Sequence, residues 1–156
     1  MAEIGNEMYG PLLKVCALLN DVGAEYIVIG GYACVLHGYI RTTKDVDLLV
    51  PDSEENFLKI REALARLEDG AAKELTVEDF KNYLVLTIND EVQVDISRQA
   101  WKVNHAEALP NVERRTVEGV KVPFIGIKEL IESKTTYRAQ DQVDCTQLRA
   151  IQNKRK

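Results

Sequence analysis

An α/β chain, with helices packed on one sheet, is the fold class predicted by three features of the sequence. Short, β-branched apolar runs alternate with stretches whose apolar residues recur at helical spacing. One run, Tyr26-Ile27-Val28-Ile29, is apolar throughout, as a strand covered on both faces is. Another, Glu91 to Ile96, alternates strictly: Val92, Val94 and Ile96 share one face, and Glu91, Gln93 and Asp95 share the other. At 156 residues, 46% hydrophobic and 29% charged, the chain can close one ordinary core, so a single domain over 1–156 is expected.

Taken in order, Pro11 opens a helix carrying Leu12, Val15, Cys16 and Leu19, with Asn20-Asp21-Val22-Gly23 as its stop. The strand Tyr26 to Ile29 then runs into Gly30-Gly31. Ala33 to His37 leaves room for a short helix closed by Gly38. Asp45 to Val50 is a second strand, ended by Pro51. Asp52 with Glu55 reads as a capping box for a helix bearing Phe57, Ile60, Leu64 and Leu67, which stops at Asp69-Gly70. Tyr83 to Ile88 and Glu91 to Ile96 flank Asn89-Asp90 as a hairpin. Trp101 to Pro110 shows no period and reads as a connection. Glu113 to Val117 and Val120 to Phe124 surround the turn Glu118-Gly119 at a sheet edge. Helices from Ile127 to about Arg138 and from Asp141 to about Gln152 close the chain, and Lys154-Arg155-Lys156 reads as a frayed end.

Composition excludes several classes. A net charge of −5 and a pI near 5.1 argue against a broad phosphate-neutralising face. Cys16, Cys34 and Cys145 are odd in number and widely spaced, which suggests neither a disulfide framework nor a zinc site and fits a reduced cytoplasm. No run approaches a membrane span, and the start has no apolar signal-peptide core.

The stretch from Gly30 to Val50 carries the chemistry. Residues two apart on a strand point the same way, so Asp45 and Asp47 stand side by side while Val46 and Leu48 turn to the opposite face. Carboxylates so placed repel unless a cation sits between them, and Mg²⁺, with Mn²⁺ as the alternative, prefers such oxygen ligands. Asp95, on the polar face of a later strand, would supply a third carboxylate. A strand entering a helix through Gly30-Gly31 lets backbone N–H groups approach a phosphate closely. Metal and phosphate together imply a nucleoside triphosphate. The plainer alternative is a solvated strand end beside glycines that serve only the turn. His37 reads as a helix-end residue, Cys34 as a small buried one, and Trp101 as core or a lid contact, with stacking on a base as its alternative.

Gly30-Gly31, Asp45-x-Asp47 after the Arg41-x-Thr43 lead-in, and the distant Asp95 resemble the nucleotidyltransferase superfamily of the DNA polymerase β type. The ending, Gly119 and its strand followed by Leu130-Ile131-x-x-Lys134, Arg138, Asp141 and Asp144, is similar to the closing motif of the AbiE-type members, which include tRNA-modifying toxins. The resemblance implies a mixed, twisted sheet of about five strands with helices packed on it. It also implies transfer of a nucleoside monophosphate from an NTP to an acceptor hydroxyl, tRNA or a small molecule. Gly30, Gly31, Arg41, Lys134 and Arg138 would hold the nucleotide, and Asp45, Asp47 and Asp95 would hold the metal and do the catalysis. Lys134 and Arg138, one helical turn apart, would face the phosphates or the base, or pair with Glu132, Asp141 or Asp144. A second subunit or an antitoxin partner is the expected supplier of the rest of an acceptor cleft. The chain departs from the pattern at Gln140, where relatives carry a basic residue. A catalytically retired nucleotide-binding or protein-interaction module is the competing expectation.

Overall fold

The computed structural model describes residues 2–156, with side chains from Met8 onward. Helix α1 (Ala2–Asp21) passes through Pro11 instead of starting there, and Gly23 (φ 68°) turns the chain after it. Strand β1 (Ile27–Ile29) leads directly into α2 (Gly30–Leu36), which Gly38 (φ 101°) stops. Strand β2 (Val46–Leu49) precedes α3 (Glu54–Leu64). The cap of α3 is Ser53 and not Asp52: the Ser53 hydroxyl accepts from the Asn56 N–H, 3.1 Å away.

After a 3-10 turn (Ala71–Glu74), α4 (Val77–Asn82) starts at a Thr76–Asp79 capping box. The hairpin of β3 (Val85–Asn89) and β4 (Gln93–Ser97) follows as expected. The stretch expected as a bare connection, Trp101 to Pro110, instead holds β6 (Val103–Asn104) and α5 (His105–Ala108), and β5 (Gln99–Ala100) just before it pairs with β6. Elements this short have no period to read, but Asn104 and Glu107 form a capping box that marks the helix. Strands β7 (Glu113–Val117) and β8 (Val120–Phe124) bracket Glu118 (φ 49°) and Gly119 (φ 82°), two left-handed residues that match a tight hairpin turn.

Helix α6 (Ile127–Ser133) ends well before Arg138, and α7 (Ala139–Lys154) starts a new axis. Hydroxyls cause the break. Ser133 Oγ donates to the Leu130 carbonyl at 2.6 Å and Thr135 Oγ1 to that of Glu132 at 2.9 Å. Thr136 Oγ1 accepts from the Arg138 N–H at 3.1 Å.

The main sheet has six strands in the order β3-β4-β2-β1-β8-β7, one more than expected. It is mixed: β1 pairs antiparallel with β2 and parallel with β8, and β2 pairs parallel with β4. Leu12, Val15, Leu19, Phe57, Ile60 and Phe80 cover one face, meeting Val28, Val46, Leu48, Val94 and Ile96. Leu130, Ile131, Cys145 and Leu148 cover part of the other, meeting Ile27, Ile29, Leu49 and Ile125. Among the described residues, no helix is long and apolar enough to cross a membrane.

The C-terminal end is docked and not frayed at Arg155. Its guanidinium donates to the His37 carbonyl at 3.2 Å and to His37 Nδ1 at 3.3 Å. Nε2 of His37 then carries the proton and donates to the Ile125 carbonyl at 2.7 Å. Burial lowers the His37 pKa, in keeping with a neutral ring.

Candidate active site

The site follows from register. Parallel pairing of β2 with β4 sets Asp47 opposite Asp95, and antiparallel pairing with β1 sets Asp47 opposite Ile29. Because Val46, Leu48, Val94 and Ile96 enter the first core, Asp47 and Asp95 must face the other way. On that face the cover from α6 and α7 lies over β1 and β8, and the β2-β4-β3 side stays accessible, with Thr87 exposed. The Thr87 hydroxyl donates to Asp95 Oδ1 at 2.7 Å. Burial, and then the neighbouring Asp95 carboxylate, push the Asp47 pKa up to about 7.

Asp45 lies just before β2 on the wall of the same cleft, and its Oδ2 accepts from Gln93 Nε2 at 3.3 Å. Thus Asp47 pairs with Asp95, while Asp45, expected beside Asp47 on the strand, lies just outside it and is engaged by Gln93. Among the described residues, no group of three or more His, Cys, Asp or Glu side chains is close enough to hold a metal. The Asp47–Asp95 pair does fit a divalent cation. Two adjacent carboxylates, one of them with its pKa pushed up to about 7 by burial and then by the other, are oxygen donors of the kind that Mg²⁺ accepts while keeping water and phosphate in its remaining positions.

The glycine pair is explained by what it adjoins. A Cβ at Gly30 would lie 2.0 Å from Asp47 Oδ2, and Gly30 has φ +69°; a Cβ at Gly31 would lie 2.5 Å from Thr43 Oγ1. The turn is folded around the carboxylate. Gly30→Ala is therefore expected to cost about 2 kcal/mol through strain and displacement of Asp47. A Tm drop of roughly 5 °C in a thermal melt checks this.

A cleft of about 390 Å³ runs from Gly30 and Gly31 past Arg41, Lys44, Lys134 and Arg138. Lys134 and Arg138 do not share a helix: Lys134 ends α6 and Arg138 caps α7, across the hydroxyl-driven break. They still reach one cleft. Lys134 is buried, and its Nζ donates to Asp144 Oδ2 at 2.8 Å. Arg41 Nη1 donates to the same oxygen at 2.7 Å, and Gln140 Nε2 to Oδ1 at 2.8 Å. Burial would raise the Asp144 pKa, but Lys134 and Gln140 outweigh it and hold the carboxyl below the usual range.

Asp144, named in the closing motif and as a surface partner of Lys134, does pair with it but is fully buried. Its signal was spacing: Asp141, Asp144, Cys145 and Leu148 fall on one helical face, and it is Val143 that is exposed. Gln140, the departure from the family pattern, belongs to this network. Of two aromatic residues at the site, Tyr137 was missed, and Trp101 was read as core or a lid contact. A second cleft of about 290 Å³ shares Gly30, Asp47, Lys134 and Arg138, and Trp101 and Tyr137 stand on its rim. Trp101 is not core. Cys34 is buried, as expected.

No protein-family model matches the chain, and no curated protein matches it. Solved structures do. The crystal structure of an antigenic nucleotidyltransferase-like protein from Paracoccidioides brasiliensis aligns with a TM-score of 0.58 and 15% identity, over 93% of this chain and 75% of that one. A candidate nucleotidyltransferase from Thermotoga maritima aligns with a TM-score of 0.55 and 15% identity, over 92% of this chain and 91% of that one. The mixed α/β sheet with helices on both faces is therefore the fold of nucleotidyltransferase-like proteins.

Proposed function

We propose that this chain is a metal-dependent nucleotidyltransferase that moves a nucleoside monophosphate from an NTP to an acceptor hydroxyl. The observation that carries the reading is the Asp47–Asp95 pair, whose Asp47 lines a cleft together with Gly30, Gly31, Arg41, Lys44, Lys134 and Arg138. A divalent cation, Mg²⁺ or Mn²⁺, held by Asp47 and Asp95 with Asp45 beside them, supplies charge neutralisation at the phosphate oxygens when bound. Gly30 and Gly31 line the cleft that would take the triphosphate. Arg41 and Lys134 are presented to it by Asp144, and Arg138 stands on the same cleft. Asp95 takes the proton of the acceptor hydroxyl, whose oxygen bonds to the α-phosphorus. The bond from that phosphorus to the β-phosphate bridging oxygen breaks, and pyrophosphate leaves. Placement and charge account for such a transfer.

The acceptor in this reading is a tRNA end or a small molecule, supported by the AbiE-like ending from Leu130 to Asp144, with a second subunit or an antitoxin completing the cleft. The three buried free thiols suit a reduced cytoplasm. A second reading, nucleotide binding without turnover, has one observation behind it: Arg41 and Lys134 already pair with Asp144. Incubation with each α-labelled NTP, Mg²⁺ and a total cell extract separates the two. Label in an RNA or small-molecule fraction, lost in Asp95→Asn, is the expected result. NTP binding with no label transferred favours the second reading, and no NTP binding with any metal defeats both.

A further inference from the structure

The cleft beside Asp47 has a second arm that the transfer chemistry leaves unused. It starts on the same floor, Gly30, Asp47, Lys134 and Arg138, as the cation-lined arm. Away from that floor its walls turn aromatic. Tyr137, in the break between α6 and α7, is 85% exposed, and Trp101, at the tip of the β5–β6 turn, is 48% exposed. Trp101 also has φ 55°, the left-handed region that bulky side chains rarely adopt. Its turn is held by the Gln99 side chain, whose Nε2 donates to the Trp101 carbonyl at 2.9 Å. A glycine or asparagine would make this turn without strain. The indole is therefore kept, at a conformational cost, on the rim of a cleft whose other arm carries Arg41, Lys44, Lys134 and Arg138 among its lining residues.

We propose that this arm is the nucleobase pocket of the donor nucleotide: Trp101 and Tyr137 stack the base of a purine nucleoside triphosphate whose phosphates lie in the cation-lined arm. The proposal rests on the nucleotidyltransferase reading and adds its substrate class. Continuity commits the pocket to the donor, because one ligand with an anionic end and an aromatic end spans both arms across Asp47. The hydroxyls in the arm are already engaged as donors, Ser133 to the Leu130 carbonyl at 2.6 Å and Thr136 to Asp141 at 2.5 Å. Recognition thus comes from stacking, which favours purines over pyrimidines and separates adenine from guanine weakly.

Trp101 is the only tryptophan, so its fluorescence reports the pocket directly. The full chain with Mg²⁺ is titrated with ATP, GTP, CTP, UTP and tripolyphosphate, and binding is measured in parallel by calorimetry. ATP and GTP are expected to quench Trp101 saturably and to bind more tightly than CTP and UTP. Tripolyphosphate is expected to bind without quenching. Trp101→Ala and Tyr137→Ala should each weaken ATP roughly 5- to 150-fold, the worth of one stacked base, and leave tripolyphosphate unchanged. Trp101→Phe should recover most of the loss. If ATP binds by calorimetry with no quenching, and Trp101→Ala binds it equally well, the base lies elsewhere and the transferase reading survives alone. Equal binding of purines and pyrimidines also overturns the proposal. So does quenching by an adenosine-ended oligonucleotide but not by ATP, which would make the arm an acceptor site. If neither ATP nor tripolyphosphate binds, the proposal and the transferase reading fall together.

Discussion

Asp47→Asn is expected to stabilise the metal-free protein at about pH 8 and, under the proposed function, to lower nucleotidyl transfer on the order of 10³-fold. The two effects have one cause. Burial and Asp95 push the Asp47 pKa up to about 7, from an unfolded value of about 3.9. A carboxyl raised in the folded state contributes fully below its unfolded pKa, and that contribution is lost as pH rises through the folded one. Stability of the metal-free protein should therefore fall from about pH 4 to about pH 7, by about 2–4 kcal/mol. Asparagine keeps the shape and cannot ionise, so the variant should lack this slope and melt roughly 5–10 °C higher at about pH 8. Added Mg²⁺ should raise the Tm of the parent chain and not that of the variant. Loss of several kcal/mol of charge stabilisation should lower transfer on the order of 10³-fold. Melts in chelator across this pH range check the first part; a variant less stable than the parent at high pH would refute it.

The other large effect centres on Asp144. This carboxylate is fully buried and receives Arg41, Lys134 and Gln140. Asp144→Ala leaves the buried Lys134 ammonium facing only Asp141, whose Oδ1 is 3.7 Å away. Removing one partner of a buried pair costs about 3–5 kcal/mol, a large share of a typical domain's stability. Urea unfolding should show that loss with an unchanged m-value. Pairing the change with Lys134→Met should recover a good part, because the stranded charge goes with its partner. A loss below about 1 kcal/mol for Asp144→Ala would mean that water already serves the cluster. In both variants Arg41 loses its anchor, so nucleotide binding should weaken even where the fold survives.

Long elements and strict alternation were legible in the sequence; short elements and side-chain competition were not. The face of β4 that carries Asp95 could be read because Val92, Val94 and Ile96 alternate with it, and the structure buries all three. Its pairing with Asp47 could not, because which strands become neighbours is decided by the whole sheet. The helix through Lys134 was misjudged because three hydroxyl residues, Ser133, Thr135 and Thr136, turn their donors and acceptors onto the backbone. The burial of Asp144 was hidden for a different reason. Charged residues on a helix face read as solvated, and burial becomes visible only once Arg41 arrives from a loop far away in sequence.

Helix α2 is pinned at both ends by unlike means. At its start Gly30 rests against Asp47 with no room for a methyl group, and just past its end His37 is held by Ile125 and Arg155. It behaves as a strut, and tilting it to widen the cleft would break a hydrogen-bond chain at one end and collide with a carboxylate at the other. Any accommodation to a substrate's shape then falls to the exposed side chains of the rim, Trp101 and Tyr137.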